Sequence, residues 1–177
     1  MSGLSQTLPS DSLIRIAAGF AIVSGIVSTV GVVFIIAMFV TFATPSTDLG
    51  MSFGLINDVC VAIQYLLTIP IALALFRILS PYKPTLIRAA TVIGILAMIA
   101  TVGLQLLLIF KVMPFEKQVI WVSIAMLLGV GSWLVITGIV ARSTGRLPNS
   151  VLMSSVAVPY LGYPVWAFWL GRRLLGW

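Results

Sequence analysis

Charged residues divide the chain into long uncharged stretches, and this spacing limits the fold more than any other feature. Five stretches of at least 18 residues carry no Asp, Glu, Lys or Arg. A helix crosses the hydrocarbon core of a bilayer with about 20 apolar residues. The spacing therefore predicts an all-α, polytopic integral membrane bundle. Its five transmembrane helices are expected at about 13–43, 55–79, 85–110, 117–141 and 150–171.

The composition supports a membrane protein. Sixty percent of the residues are hydrophobic and 8% are charged, whereas an average soluble domain is about 25% charged. The apolar stretches are continuous and lack the alternation of an outer-membrane β-barrel strand. We therefore expect an N-terminal tail, 1–12, followed by a single five-helix domain, 13–177, in the cell membrane.

The distribution of Lys and Arg predicts an orientation. With five spans, six basic residues fall on the N-terminal side of the membrane and four on the other side. Cytoplasmic loops carry an excess of Lys and Arg, so the N-terminus is expected in the cytoplasm and the C-terminus outside. The net charge of +6 suits anionic lipid headgroups, and no nucleic-acid partner is expected. The first group is Arg15, Arg77, Lys83, Arg88, Arg142 and Arg146, and the second is Lys111, Lys117, Arg172 and Arg173.

The absence of histidine argues against several functions. The chain contains no His and one cysteine, Cys60. Histidine is the usual haem ligand and a common zinc ligand, so a His-ligated haem or chlorophyll and a zinc site are not expected. No P-loop, dinucleotide-binding motif or nucleophile–base pair is present. We therefore predict no cofactor, no metal and no catalytic residue, and an enzyme is not the favoured interpretation.

Small residues form a stripe on the first predicted helix. They recur every fourth position, and such stripes let membrane helices approach closely. The stripe is a candidate helix-packing interface, either with a second copy or partner subunit or within the bundle itself. Its members are Ala17, Ala21, Gly25 and Thr29.

A few polar residues lie within the apolar stretches and form a candidate ligand or transport site. Ionisable groups inside a membrane are functional candidates by default. Asp58 is the only acidic residue expected there, and it is alternatively a cap at the start of the second helix. Gln105 is expected at a similar depth if the second and third helices are antiparallel. The full candidate set is Asp58, Gln64, Gln105, Tyr160 and Tyr163.

Aromatic and basic residues gather at the end of the fifth predicted helix. Trp and Tyr prefer the membrane–water interface, and Lys or Arg beside them anchor a helix end. The predicted interfacial anchors are Trp169, Arg172, Arg173 and Trp177.

Three segments carry a resemblance to a known family. They are Leu-Ala-Leu-Phe-Arg-Ile-Leu-Ser-Pro at 73–81, Ala-Arg-Ser-Thr-Gly-Arg-Leu-Pro at 141–148, and Gly-Tyr-Pro-Val-Trp-Ala at 162–167 with Leu-Gly-Arg-Arg at 170–173. From about residue 55 onward the chain resembles a family of small bacterial multi-spanning proteins known only as a domain of unknown function. The resemblance implies a helical membrane protein and gives no active residue.

Three functions remain open. The favoured hypothesis is association, either as an accessory or structural subunit of a larger membrane complex or as a homo-oligomer. The first alternative is a small carrier or channel for a lipophilic or weakly polar molecule. The second is a subunit that holds a lipid, quinone or pigment. Transport predicts that the polar residues converge on one cavity, whereas association predicts a closed interior and an exposed Ala17/Gly25 stripe.

Overall fold

The computed structural model describes residues 12–43, 47–144 and 159–175, and nearly all of them are helical. Helices account for 92% of this part of the chain, which contains no strand. The predicted all-α class is thus confirmed. The helices are α1 (Ser12–Phe42), α2 (Thr47–Leu79), α3 (Pro84–Ile109), α4 (Phe115–Ile124), α5 (Gly131–Ser143) and α6 (Pro159–Leu174), with a π-helical segment (Ala125–Val130) that joins α4 to α5.

Within the described residues, four helical stretches are long and apolar enough to cross a membrane. They are Ser12–Phe42, Asp48–Leu79, Pro84–Ile109 and Phe115–Ser143. The prediction of a multi-span membrane protein agrees with them, but the predicted number was five. Residues 150–158 of the fifth predicted span lie outside the described residues. Its described part, α6, has 16 residues.

The start of α2 differs from the prediction. The sequence suggested a connection over 44–54, but α2 begins at Thr47. Asp48 lies in the first turn, where a carboxylate is favourable beside the positive end of the helix dipole. Asp58 therefore lies about three turns inside the helix. The interpretation of Asp58 as a helix cap is wrong for this reason.

Tight turns connect the long helices. Between α2 and α3, Ser80 N–H donates to the Phe76 carbonyl at 2.8 Å, and Pro84 begins α3. Proline suits this position because its fixed φ is already helical and the missing N–H is not needed. Between α3 and α4, Lys111 adopts a positive φ of 58°. Such short connections make consecutive spans antiparallel.

Small residues set the closest helix contacts. A Cβ added to Gly94 of α3 would lie 2.7 Å from Trp133 Cγ of α5. A Cβ added to Gly129 would overlap the Ala97 methyl group of α3. Close approach at small residues is the main source of packing energy between membrane helices. The span made of α4, the π-helical segment and α5 therefore packs closely against α3.

The last helix, α6, runs antiparallel to α1. Tyr163, early in α6, contacts Ser24. Further along, a Cβ on Gly25 would lie 3.0 Å from the Phe168 ring, and a Cβ on Gly171 would lie 2.9 Å from the Ala18 carbonyl oxygen. The C-terminal end of α6 thus lies beside the N-terminal part of α1.

Candidate functional site

A hydrogen-bonded chain of hydroxyl groups joins α1, α2 and α6. Tyr163 Oη lies 2.7 Å from Ser24 Oγ and is also hydrogen-bonded to Thr68 Oγ1. Thr68 Oγ1 donates to the Gln64 carbonyl at 2.7 Å. Each hydroxyl has one proton to donate, and that of Thr68 goes to the Gln64 carbonyl. Tyr163 therefore donates to Thr68, and Ser24 donates to Tyr163. All the polar atoms of this chain are thereby satisfied.

Burial makes this chain important for the bundle. Ser24 and Thr68 are fully buried, and Tyr163 is 4% exposed. In the hydrocarbon core no water is available to hydrogen-bond an unpaired hydroxyl, so membrane helices pair such groups across their interfaces. The Tyr163 hydroxyl fixes α6 to the α1–α2 hairpin.

We expect Tyr163→Phe to lower the free energy of unfolding by about 1 kcal/mol, because two interhelical hydrogen bonds are lost and each contributes about 0.6 kcal/mol on average. The measurement is unfolding in mixed micelles by SDS, followed by far-UV circular dichroism. A double-mutant cycle with Ser24→Ala provides the control. The two substitutions should be less than additive, and strictly additive effects would show that the hydroxyls are not coupled.

An apolar cleft of about 420 Å³ opens beside this hydroxyl chain. Tyr65 of α2 and Tyr163 of α6 lie at its base together with Val130, and all three are buried. Leu127 and Leu128 form its rim and are 62% and 70% exposed. The cleft therefore leads from the outer surface of the bundle to buried aromatic side chains. Its complete lining is Tyr65, Met126, Leu127, Leu128, Val130, Gly131, Ser132, Leu134, Val135, Ile136 and Tyr163.

The π-helical segment forms one wall of the cleft. Gly131 N–H donates to the Met126 carbonyl, five residues back, so the turn is one residue wider than an α-helical turn. Ser132 Oγ donates to the Leu128 carbonyl at 2.5 Å and lies 2.9 Å from the Gly129 carbonyl. π-Helical turns are rare and frequently occur at functional sites. Here the wide turn lies at the centre of a membrane span.

The predicted polar residues are only partly brought together. The backbone carbonyl of Gln64 accepts a hydrogen bond from Thr68, whose hydroxyl is also bonded to Tyr163. Gln105 instead accepts a hydrogen bond from Gln118 Nε2 of α4 at 2.8 Å, and both glutamines are buried.

Asp58 and Tyr160 complete the predicted set. Asp58 is half-buried and lies seven residues before Tyr65, which is about 10 Å of helix rise. The side chain of Tyr160 lies outside the described residues, although its backbone belongs to α6. The four predicted residues whose side chains the structure describes thus do not form one polar cavity.

Sequence analysis did not assign Ser24, Thr68 or the cleft wall to a site. Thr68 follows Gln64 by four residues in an apolar stretch. This helical spacing of polar residues is the sequence feature that could have identified Thr68 as part of the site. Ser24 lies directly before Gly25 of the small-residue stripe. Its position therefore indicates helix packing rather than a polar site. Nothing in the residue pattern indicates the π-helical turn.

The small-residue stripe of α1 packs mainly against other helices of the same chain. Ala17 and Ala21 are fully buried and Gly25 is buried. Gly25 faces Phe168 of α6. Thr29 is exposed, and its hydroxyl donates to the Gly25 carbonyl at 2.8 Å. Three of the four stripe residues are therefore covered by helices of the same chain.

The predicted anchors lie at the C-terminal end of α6. Arg172 and Arg173 are exposed there, while Trp169 is partly buried against the core. Trp177 lies outside the described residues. The described residues contain no group of three or more His, Cys, Asp or Glu side chains that could hold a metal ion.

Comparison with protein families, curated proteins and solved structures finds no match to this chain. The resemblance to a family of small bacterial multi-spanning proteins therefore stays a prediction. The arguments for a function rest on the geometry of the site.

Proposed function

We propose that the protein holds the hydrocarbon chain of a lipophilic molecule in the apolar cleft between α2, the π-helical segment, α5 and α6. The ligand class is an acyl or prenyl chain, as in a membrane lipid or a quinone. The observation that carries the proposal is the cleft of about 420 Å³ itself. Ligand pockets typically measure about 300 to 1,000 Å³.

The lining favours an apolar ligand. No lining residue carries a charge. The Tyr163 hydroxyl is bonded to Ser24 and Thr68, and the Ser132 hydroxyl is bonded to carbonyl oxygens of its own helix. These two hydroxyls have already used their protons and offer no donor to a ligand. Tyr65, the third lining residue with a hydroxyl, also has a partner within the protein. The lining is therefore better suited to a hydrocarbon chain, which needs no hydrogen-bond partner, than to a polar headgroup.

The position of the cleft favours entry from the bilayer. Its wall lies in the middle of the Phe115–Ser143 stretch, and so at the depth of lipid tails. Leu127, Leu128 and Val135 are exposed at the rim. A hydrocarbon chain can pass from the surrounding lipid into the cleft without crossing water. A headgroup attached to it would remain outside.

Association stays a second, untested prediction. It required an exposed Ala17/Gly25 stripe, and in the described structure α6 covers Gly25. The contact between Gly25 and Phe168 therefore supports ligand holding over association.

Filling the cleft is expected to abolish ligand entry. Ser132→Trp places an indole within the lining, whereas Ser123→Trp places the same side chain on an exposed position of α4. The probe is palmitic acid with a diazirine on its chain, added to vesicles that contain the purified protein. After illumination, labelled residues are mapped by mass spectrometry.

In the wild type we expect saturable labelling of buried Tyr65 and Tyr163, competed by unlabelled palmitate. Ser132→Trp should lose this labelling, and Ser123→Trp should retain it. Labelling confined to lipid-facing residues such as Leu96, 62% exposed, and equal in all three proteins would overturn the proposal. Wild-type-like circular dichroism of Ser132→Trp confirms that the variant is folded.

A further inference from the structure

The direction of α6 is difficult to combine with a fifth membrane crossing. α1 begins at Ser12, and Ser24 lies about 18 Å further along its axis at 1.5 Å per residue. Tyr163 contacts Ser24, and α6 begins only four residues earlier, at Pro159. From there α6 runs back toward the start of α1. The part of the helix that the structure describes, from Pro159 onward, therefore lies beside the N-terminal half of α1.

The preceding span ends at the same end of the bundle. Leu79, at the end of α2, and Ile87, in the first turn of α3, pack with Val140 and Ala141 near the end of α5. Since α1 and α2 are antiparallel, the end of α2 lies beside the start of α1. Both α5 and α6 therefore end at this end of the bundle, which we call the basic end.

We propose that the chain crosses the bilayer four times and that α6 is a half-membrane helix that starts near mid-depth and returns to the basic end. Both ends of the described bundle then lie on the same side of the membrane. The proposal replaces the external C-terminus of the five-span topology. It concerns placement in the bilayer and does not depend on ligand binding in the cleft.

The distribution of charge supports this topology independently. In the five-span arrangement the ten Lys and Arg residues divided six to four. When α6 returns to the basic end, Arg172 and Arg173 move to that side, and the division becomes eight to two. Lys111 and Lys117 alone remain at the opposite end, next to Glu116. The positive-inside rule favours such an asymmetry and places the basic end in the cytoplasm.

Cysteine labelling tests the topology. Cys60 is first replaced by serine, and single cysteines are then introduced by Thr85→Cys at the basic end, by Val112→Cys at the opposite end, and by adding a cysteine after Trp177. Thr85 and Val112 are both exposed. A membrane-impermeant maleimide is applied to right-side-out and to inverted vesicles. Labelling in detergent verifies that each thiol is reactive.

We expect the added C-terminal cysteine and the Thr85→Cys variant to react in inverted vesicles, and the Val112→Cys variant to react in right-side-out vesicles. A C-terminal cysteine that reacts together with the Val112→Cys variant would overturn the proposal. Fusions at the C-terminus give a second readout. Green fluorescent protein should fluoresce there, and alkaline phosphatase, which is active only outside the cytoplasm, should be inactive.

Discussion

Replacing Trp133 with alanine is expected to lower the free energy of unfolding by about 3 kcal/mol, at the low end of the range for buried tryptophan in soluble proteins. Trp133 is fully buried. Its ring packs on Gly94 and meets the Trp166 ring edge to face, with centroids 6.2 Å apart. Since membrane helices are held mainly by such packing, a cavity at this point loosens α3, α5 and α6 together.

Two further substitutions make the Trp133 experiment specific. Trp121→Ala removes the same side chain from an exposed position of the same span and should change stability by less than 0.5 kcal/mol in either direction, or roughly the scatter of surface substitutions. Trp133→Phe should cost less than Trp133→Ala, because it keeps a ring and removes an indole N–H that has no hydrogen-bond partner among the described residues. Stability is measured by SDS titration in mixed micelles. Equal losses for Trp133→Ala and Trp121→Ala would contradict the packing described.

Gly129→Ala is expected to destabilise the protein by about 2 kcal/mol, in the middle of the range for overpacking. The added methyl group would overlap the Ala97 Cβ of α3. That carbon is fixed to the helix backbone and cannot rotate away, so α3 and the π-helical segment must separate. The change also moves one wall of the cleft, and the palmitate probe should then label Tyr65 and Tyr163 less.

Ala97→Gly should rescue Gly129→Ala, because it removes the methyl group with which the new side chain collides. Gly103→Ala is the matched control, since a Cβ there meets nothing within 4 Å. In a helix interior alanine is favoured over glycine by up to about 1 kcal/mol, so Gly103→Ala should be neutral or stabilising. If Gly129→Ala were as stable as Gly103→Ala, the close approach of the two helices would be disproved.

The predicted helix ends are accurate where a proline lies beside a charged residue. Pro84 begins α3, and the predicted start was one residue later. The start of α2 was wrong because Asp48 was taken as the edge of a loop, although an acidic residue is equally suited to a first helical turn. The uncharged stretch between Arg146 and Arg172 has the length of a span. Length alone does not distinguish a complete crossing from a helix that enters and returns.

The candidate site was predictable in part. Tyr163 was named from polarity and depth, and its hydroxyl is hydrogen-bonded in the bundle interior. Gln64 was named on the same grounds, but the group that accepts from Thr68 is its backbone carbonyl, which any residue would supply. Depth alone also grouped Gln105 with Asp58, but Gln105 points to Gln118 across the α3–α4 hairpin. The neighbouring helix that a polar side chain faces depends on the rotation of its own helix about the helix axis, and packing sets that rotation. The π-helical turn likewise has no signal in the residue pattern.

Native mass spectrometry of the protein, gently extracted from its own host membrane, tests the central claim most directly. We expect the wild type and Ser123→Trp to retain a small lipophilic molecule whose mass identifies it as an acyl lipid or a prenyl quinone. Ser132→Trp, with the cleft filled, should lack it. A wild type that carries no such molecule, or equal retention in all three proteins, would contradict ligand holding. A complex with other protein subunits and an empty cleft would favour association instead.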